Sequence, residues 1–176
     1  MNFSKFLMSF AAPTWVEIEL NGQAQVMVYI QSSPCCFNWK KLVWLGLAPP
    51  KVKGIIWLTL HGRAPVTVEL VKRGAWTASD TICPMCRKGQ ETFQHIFFSC
   101  EVAWTIWSKF YACWGLSLVH PREPTLFFVS WREVPCNQYG DSNWLVIPFA
   151  AIWFIWLMRN DVIFNNKVVN LTFLRC

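Results

Sequence analysis

Between Thr14 and Ile30 apolar and polar positions alternate: Val16, Ile18 and Leu20 share one face with Glu17 and Glu19 opposite, and Val26, Val28 and Ile30 resume the period after Asn21-Gly22. A period of two interrupted by Asn-Gly predicts a β-hairpin, because both central turn positions then tolerate positive φ. From Trp39 the period lengthens. Val52, Ile55, Ile56, Thr59 and Leu60 recur at helical spacing between Pro49-Pro50 and Gly62, and a second short helix is expected from Pro65 to Gly74, with Lys72 and Arg73 near its end. Thr77 to Gln90 reads as loop. Ser99 or Cys100 then opens a helix in which Val102, Ala103, Ile106, Trp107, Phe110 and Trp114 make one apolar face, stopped by Gly115.

Pro121, Pro124, Pro135 and Gly140 break up the next stretch, which is expected to be a linker carrying one small helix around Leu126 to Trp131. Asp141 or Ser142 can cap a long apolar helix from Trp144 to about Phe164, with Pro148 near its first turn, where proline is least disruptive. The 15 residues from Trp144 to Met158 carry no charge. At 1.5 Å per residue they cover about 22 Å of a hydrocarbon layer roughly 30 Å thick, so a buried core helix is expected and no membrane span.

Composition fills in the packing. The 176 residues include 12 Trp and 14 Phe, with 54% apolar and 15% charged residues, enough for a large aromatic core. A net charge of +6 favours an anionic partner, nucleic acid or acidic lipid. The ten acids include no adjacent pair of Asp and no cluster suited to hold Mg²⁺, as a polymerase or nuclease requires. Phosphate-binding and nucleophile-elbow motifs do not occur, and only His61, His95 and His120 offer imidazoles. The chain reads as a binder, not an enzyme.

The chemistry lies in Cys83-x₂-Cys86-x₈-His95-x₄-Cys100, four soft or borderline donors within 18 residues. The x₂ spacing lets two sulfurs of one tight turn face one ion, Pro84 presets that turn, and His95 and Cys100 can close a tetrahedron as the chain enters the next helix. Structural Zn²⁺ fits this set: four protein ligands leave no position for an activated water. Three thiolates, a neutral imidazole and Zn²⁺ sum to a charge of −1, which Arg87 and Lys88 partly offset. Two other readings stay open, buried thiols without metal and a redox dithiol, although the latter calls for a βαβ setting that the pattern does not offer.

Eight cysteines also permit a disulfide framework in a secreted chain, but Met1 to Ala12 makes a thin signal sequence. The thiols are therefore expected to be reduced and the chain intracellular, with no choice between nucleus and cytoplasm. Cys35, Cys36, Cys113, Cys136 and Cys176 have no partner spacing and read as buried or idle. From Lys40 to Lys88 nine bases stand against two acids. Lys51, Lys53, Lys72, Arg73, Arg87 and Lys88 are the candidates for phosphate contacts, weighed against an ordinary solvated face.

Several of these residues occur together in a known order. Pro50-Lys51-Val52-Lys53, Trp57-Leu58, Leu70 with Arg73-Gly74, Cys83-Pro84-Met85-Cys86, Glu91-Thr92-x-x-His95-Ile96-Phe97-Phe98-x-Cys100 and Trp104-x-x-Trp107 make the chain resemble the zinc-binding domain C-terminal to the reverse transcriptase of plant LINE-type, non-LTR retrotransposons. Ile152-Trp153-x-Ile155-Trp156-x-x-Arg159-Asn160-x-x-Ile163-Phe164 resembles the helix that follows it in those proteins. The resemblance implies zinc on Cys83, Cys86, His95 and Cys100 and an ancestral polyprotein that handled RNA or target DNA; it brings no catalytic residues. Gly54 departs from the family, which tends to carry an aromatic residue there.

The expectation is thus a mainly α, small α+β chain. It comprises an N-terminal extension with a β-hairpin (1–38), a helical zinc-binding domain (39–115), a linker (116–141), and a long apolar C-terminal helix with its tail (142–176). Its expected role is non-catalytic: weak binding of RNA or single-stranded DNA through phosphates. The alternatives are a protein interaction module braced by zinc, with a protein partner, and a decayed retroelement fragment without selected activity.

Overall fold

The computed structural model describes residues 14–18, 26–30, 39–44, 48–77, 81–113, 121–133 and 141–171, and the chain is mostly helical. Strands β1 (Thr14–Ile18) and β2 (Val26–Ile30) pair antiparallel with Val16 opposite Val28, while Asn21-Gly22 lies outside the described residues. Helices α1 (Trp39–Trp44), α2 (Pro50–Leu60) and α3 (Thr67–Lys72) follow. After the loop that carries Cys83 and Cys86 come one π turn (His95–Ser99), α4 (Glu101–Cys113), α5 (Pro124–Glu133) and α6 (Asp141–Asn165).

Two of the glycines read as stops do stop helices, by one mechanism, whereas Gly115 lies outside the described residues. Gly62 (φ 63°) and Gly74 (φ 67°) take the left-handed conformation just past α2 and α3. Arg63 N–H then reaches Leu58 O at 2.7 Å and Ala75 N–H reaches Leu70 O at 2.9 Å, so carbonyls in the last turn of both helices are satisfied. Gly54 is different: it sits inside α2 and a Cβ there would touch nothing within 4 Å. Gly54→Ala is therefore expected to stabilise the chain by about 0.5–1 kcal/mol through backbone entropy, read as a raised chemical-denaturation midpoint at unchanged slope.

One core joins the helices. Ile56 of α2, Phe97 of the π turn, Trp107 of α4, Phe127 of α5 and Ile152 and Ile155 of α6 are all fully buried in a single apolar cluster. The aromatic excess is concentrated there: the Trp107 ring lies 5.0 Å from Phe127, 5.8 Å from Trp131 and 6.3 Å from Tyr111. Its indole N–H, which burial would otherwise orphan, donates to Phe97 O at 2.8 Å. Burial pushes the Tyr111 hydroxyl pKa well up.

Two elements differ from expectation. The small helix foreseen around Leu126 to Trp131 extends over Pro124–Glu133 and buries Phe127, Phe128 and Trp131 in that core. Because α6 begins at Asp141, Pro148 falls inside the helix and not near its first turn. By length and composition Val146–Asn165 is apolar enough to cross a membrane. In this fold, however, Phe149, Ala151, Ile152 and Ile155 are fully buried against the other helices, and α6 packs as a core helix.

Candidate metal centre

The loop before the π turn folds on itself. Ile82 pairs with Gln90, Cys83 N–H donates to Gly89 O at 2.7 Å, Glu91 N–H to Thr81 O at 2.7 Å, and Arg87 N–H to Cys83 O at 2.9 Å. The result is a tight knuckle, Cys83 to Gly89, in which Arg87 takes φ 56°. The backbone N–H groups of Cys86 and Met85 point back at the Cys83 sulfur. This is the arrangement expected of a Cys-x₂-Cys turn around an ion.

His95 and Cys100 arrive by a different route. Thr92 Oγ1 accepts the His95 N–H at 3.1 Å and starts a turn that widens to π geometry, closed by Cys100 N–H on His95 O at 2.7 Å. Cys100 is extended (φ −69°, ψ 137°) and stands at the N-cap of α4, with the N–H groups of Ala103 and Val102 directed at its sulfur. A thiolate there takes the place of a capping oxygen and meets the positive end of the helix dipole.

All four donor atoms lie within 4.8 Å of one another. Cys83 Sγ is 4.0 Å from Cys100 Sγ, and Cys86 Sγ is 3.1 Å from His95 Nε2. Tetrahedral zinc with Zn–S near 2.3 Å sets sulfur pairs roughly 3.8 Å apart, so the cluster has the size of one ion's coordination sphere. The Cys83 pKa is driven up by its hydrogen bond to Cys100 and by burial, whereas the Cys100 pKa is lowered by the same hydrogen bond and by the helix N–H groups. A metal ion held between them would displace the thiol protons and let both sulfurs ionise. Burial lowers the His95 pKa, favouring the neutral imidazole that ligation requires. Its ring packs over Gly89, where a Cβ would come within 3.3 Å of Cε1.

The fold ties this centre to the C-terminal helix through a group that sequence reasoning did not place. Glu91, fully buried, accepts from Arg159 Nε at 2.6 Å and from Thr67 Oγ1 at 2.7 Å. Arg159 is 3% exposed, lies 5.0 Å from the Trp156 ring centroid and donates to Asn160 Oδ1 at 3.0 Å. Glu91, Arg159 and Asn160 had entered only as parts of resembling motifs; no local signal pairs residues 68 positions apart.

The six basic candidates stand in three places. At the start of α2, Lys51 is exposed and the Lys53 amine lies 6.0 Å from the Trp44 ring centroid. At the end of α3, Lys72 pairs with Glu69 at 2.7 Å and Arg73 donates to Arg63 O at 3.0 Å. In the knuckle, Lys88 pairs with Glu101 at 2.7 Å, whereas exposed Arg87 has no ion-pair partner among the described residues. Cys83, Cys86 and Cys100 are free thiols, whereas Cys113, expected to be a reduced thiol that is buried or idle, is exposed and disulfide-bonded.

Residues 24–107 match the sequence family described as zinc-binding in reverse transcriptase. This segment resembles the reverse-transcriptase zinc-binding domains. The reverse-transcriptase-like segment contains all four donors, from Cys83 to Cys100, and ends at the buried Trp107. The chain is also similar to the "Putative ribonuclease H protein" of Arabidopsis thaliana, at 24% identity over 131 residues, which cover 71% of this chain and 20% of that protein. It thus spans about a fifth of that relative's length. No solved structure matches.

Proposed function

We propose that this chain is a non-catalytic module in which one structural zinc ion, held by Cys83, Cys86, His95 and Cys100, braces a surface that binds RNA or single-stranded DNA through phosphates. The observation that carries the reading is the convergence of four donor atoms within 4.8 Å. Bound there, zinc supplies a cross-link between the knuckle and the start of α4. With four protein donors the coordination sphere is closed, which favours bracing over hydrolysis. The charge of +6 and exposed Lys51 and Arg87 supply the attraction to phosphate. Similarity to a protein named as a ribonuclease H supports nucleic acid as the partner class.

Salt dependence tests this directly. For four phosphate contacts on a single strand, affinity is expected to fall about fifty-fold between 50 and 200 mM salt, read by fluorescence anisotropy of a labelled oligonucleotide. Unchanged affinity across that range would rule out phosphate contacts. A second reading, a protein interaction module, is favoured by the exposed Leu157, Phe164 and Val168 along and just after the end of α6. Lys51→Glu with Lys53→Glu separates the two, because charge reversal weakens nucleic-acid binding and spares an apolar interface.

A further inference from the structure

Beside the knuckle lies a cleft of about 630 Å³. Trp76, Ile82, Pro84 and Arg87 come to it from the knuckle and the chain leading into it, Val162 and Ile163 from the last turns of α6, and buried Thr67, Cys83 and Glu91 reach its floor. Its volume is that of a small-ligand site.

Three features of this lining point to one kind of occupant. Trp76 is 42% exposed, whereas Trp107 is fully buried, so the Trp76 indole presents apolar ring surface to the cleft. Arg87 alone among the knuckle's bases lacks an ion-pair partner among the described residues, and it occupies a left-handed position (φ 56°) where glycine would carry no strain. The Glu91 carboxylate on the floor is already neutralised by Arg159, so it does not repel an anion. An exposed indole and a guanidinium without an ion-pair partner among the described residues, both lining one cleft, offer a stacking surface for a base and a partner for the adjoining phosphate. An apolar protein segment would leave the guanidinium unmatched.

We infer that this cleft is a nucleotide subsite, in which one unpaired base of a single strand stacks on Trp76 and its phosphate pairs with Arg87. The inference rests on the nucleic-acid reading above and adds a residue, Trp76, and a wall from α6 that the basic candidates do not include. The C-terminal helix then contributes to binding as well as to the core.

The test uses the full zinc-loaded chain and labelled twelve-residue oligo(U) and oligo(dT), followed by fluorescence anisotropy. Trp76→Ala is expected to weaken both about tenfold, and Trp76→Phe, which keeps a stacking face, much less. Arg87→Gly suits the left-handed backbone; it is expected to keep one zinc per chain and to reduce the slope of log affinity against log salt by about 0.7. An oligonucleotide bearing 5-iodouracil is expected to cross-link to Trp76 in the unmutated chain, mapped by mass spectrometry, a readout that needs no variant to fold. Binding that is untouched by both substitutions, with cross-links elsewhere, overturns the subsite and leaves the nucleic-acid reading standing. If the unmutated chain binds neither oligonucleotide, the broader reading fails and the subsite with it.

Discussion

Stripping zinc from the chain with a chelator, or replacing Cys83 by Ser, is expected to melt the knuckle and lower the thermal midpoint by tens of degrees. Structural zinc contributes an apparent 10–16 kcal/mol in small zinc folds, as much as the entire stability of a typical domain, about 5–15 kcal/mol. Among the described residues, little apolar packing holds the knuckle. Between Cys83 and Gly89 only Cys83 and Met85 are buried, whereas the π turn that follows anchors Ile96, Phe97 and Phe98 in the core. Zinc loss should therefore free the knuckle first and then, by leaving the Cys83 and Cys100 thiols buried without their cross-link, loosen the start of α4. Elemental analysis is expected to find one zinc per chain, lost in Cys83→Ser and His95→Ala but kept in His61→Ala. His61 is exposed, with Nδ1 2.8 Å from Trp57 O and its ring 4.3 Å from that of Trp57, away from the four donors. A metal-free chain that melts at the same temperature with and without chelator would remove the zinc centre altogether.

What was legible in the sequence is what is local. The four donors fall within one short stretch, and their spacing alone brought them to one point. Gly62 and Gly74 end their helices through bonds that span five residues, so they too could be read directly. The region around Pro124 was misread because proline there suggests a break. Pro124 is instead the first residue of α5, preceded by Glu123, whose Oε2 accepts the Leu126 N–H at 2.6 Å. Proline at the first helical position behind an acidic cap is a start signal. The following residues looked like a short aromatic run because their partners, such as Phe98 at 5.0 Å from Phe127 and Phe149 at 5.9 Å from Phe128, come from elsewhere in the chain. The π turn was equally hidden: its extra residue per turn has no composition of its own, and its effect is to place His95 and Cys100, five residues apart, at one centre.

The Glu91–Arg159 pair is expected to be the second most sensitive point in the molecule. Both side chains are at most 3% exposed, their bond is 2.6 Å long, and it links the segment leaving the knuckle to α6, with Thr67 of α3 as the third member. Arg159→Met leaves a buried carboxylate with the Thr67 hydroxyl as its one side-chain partner among the described residues, and Glu91→Gln leaves a buried guanidinium facing a neutral amide. Breaking one side of such a pair costs about 3–5 kcal/mol, enough to unfold a domain of ordinary stability. Removing both charges is different, because the desolvation that the pair overcomes disappears with it. The double variant Glu91→Gln with Arg159→Met is expected to lose about 2 kcal/mol or more less than the sum of the two single losses. Chemical denaturation of all four proteins measures that difference, and single losses that simply add would show that the pair is not coupled. Zinc retention discriminates further. Glu91 lies four residues before His95, so if the pair fixes the approach of the chain to the metal, the single variants hold zinc more weakly and the double variant recovers part of that affinity. If α6 merely covers the core, stability falls in the single variants while zinc affinity, measured below the denaturation midpoint, stays at the level of the unmutated chain.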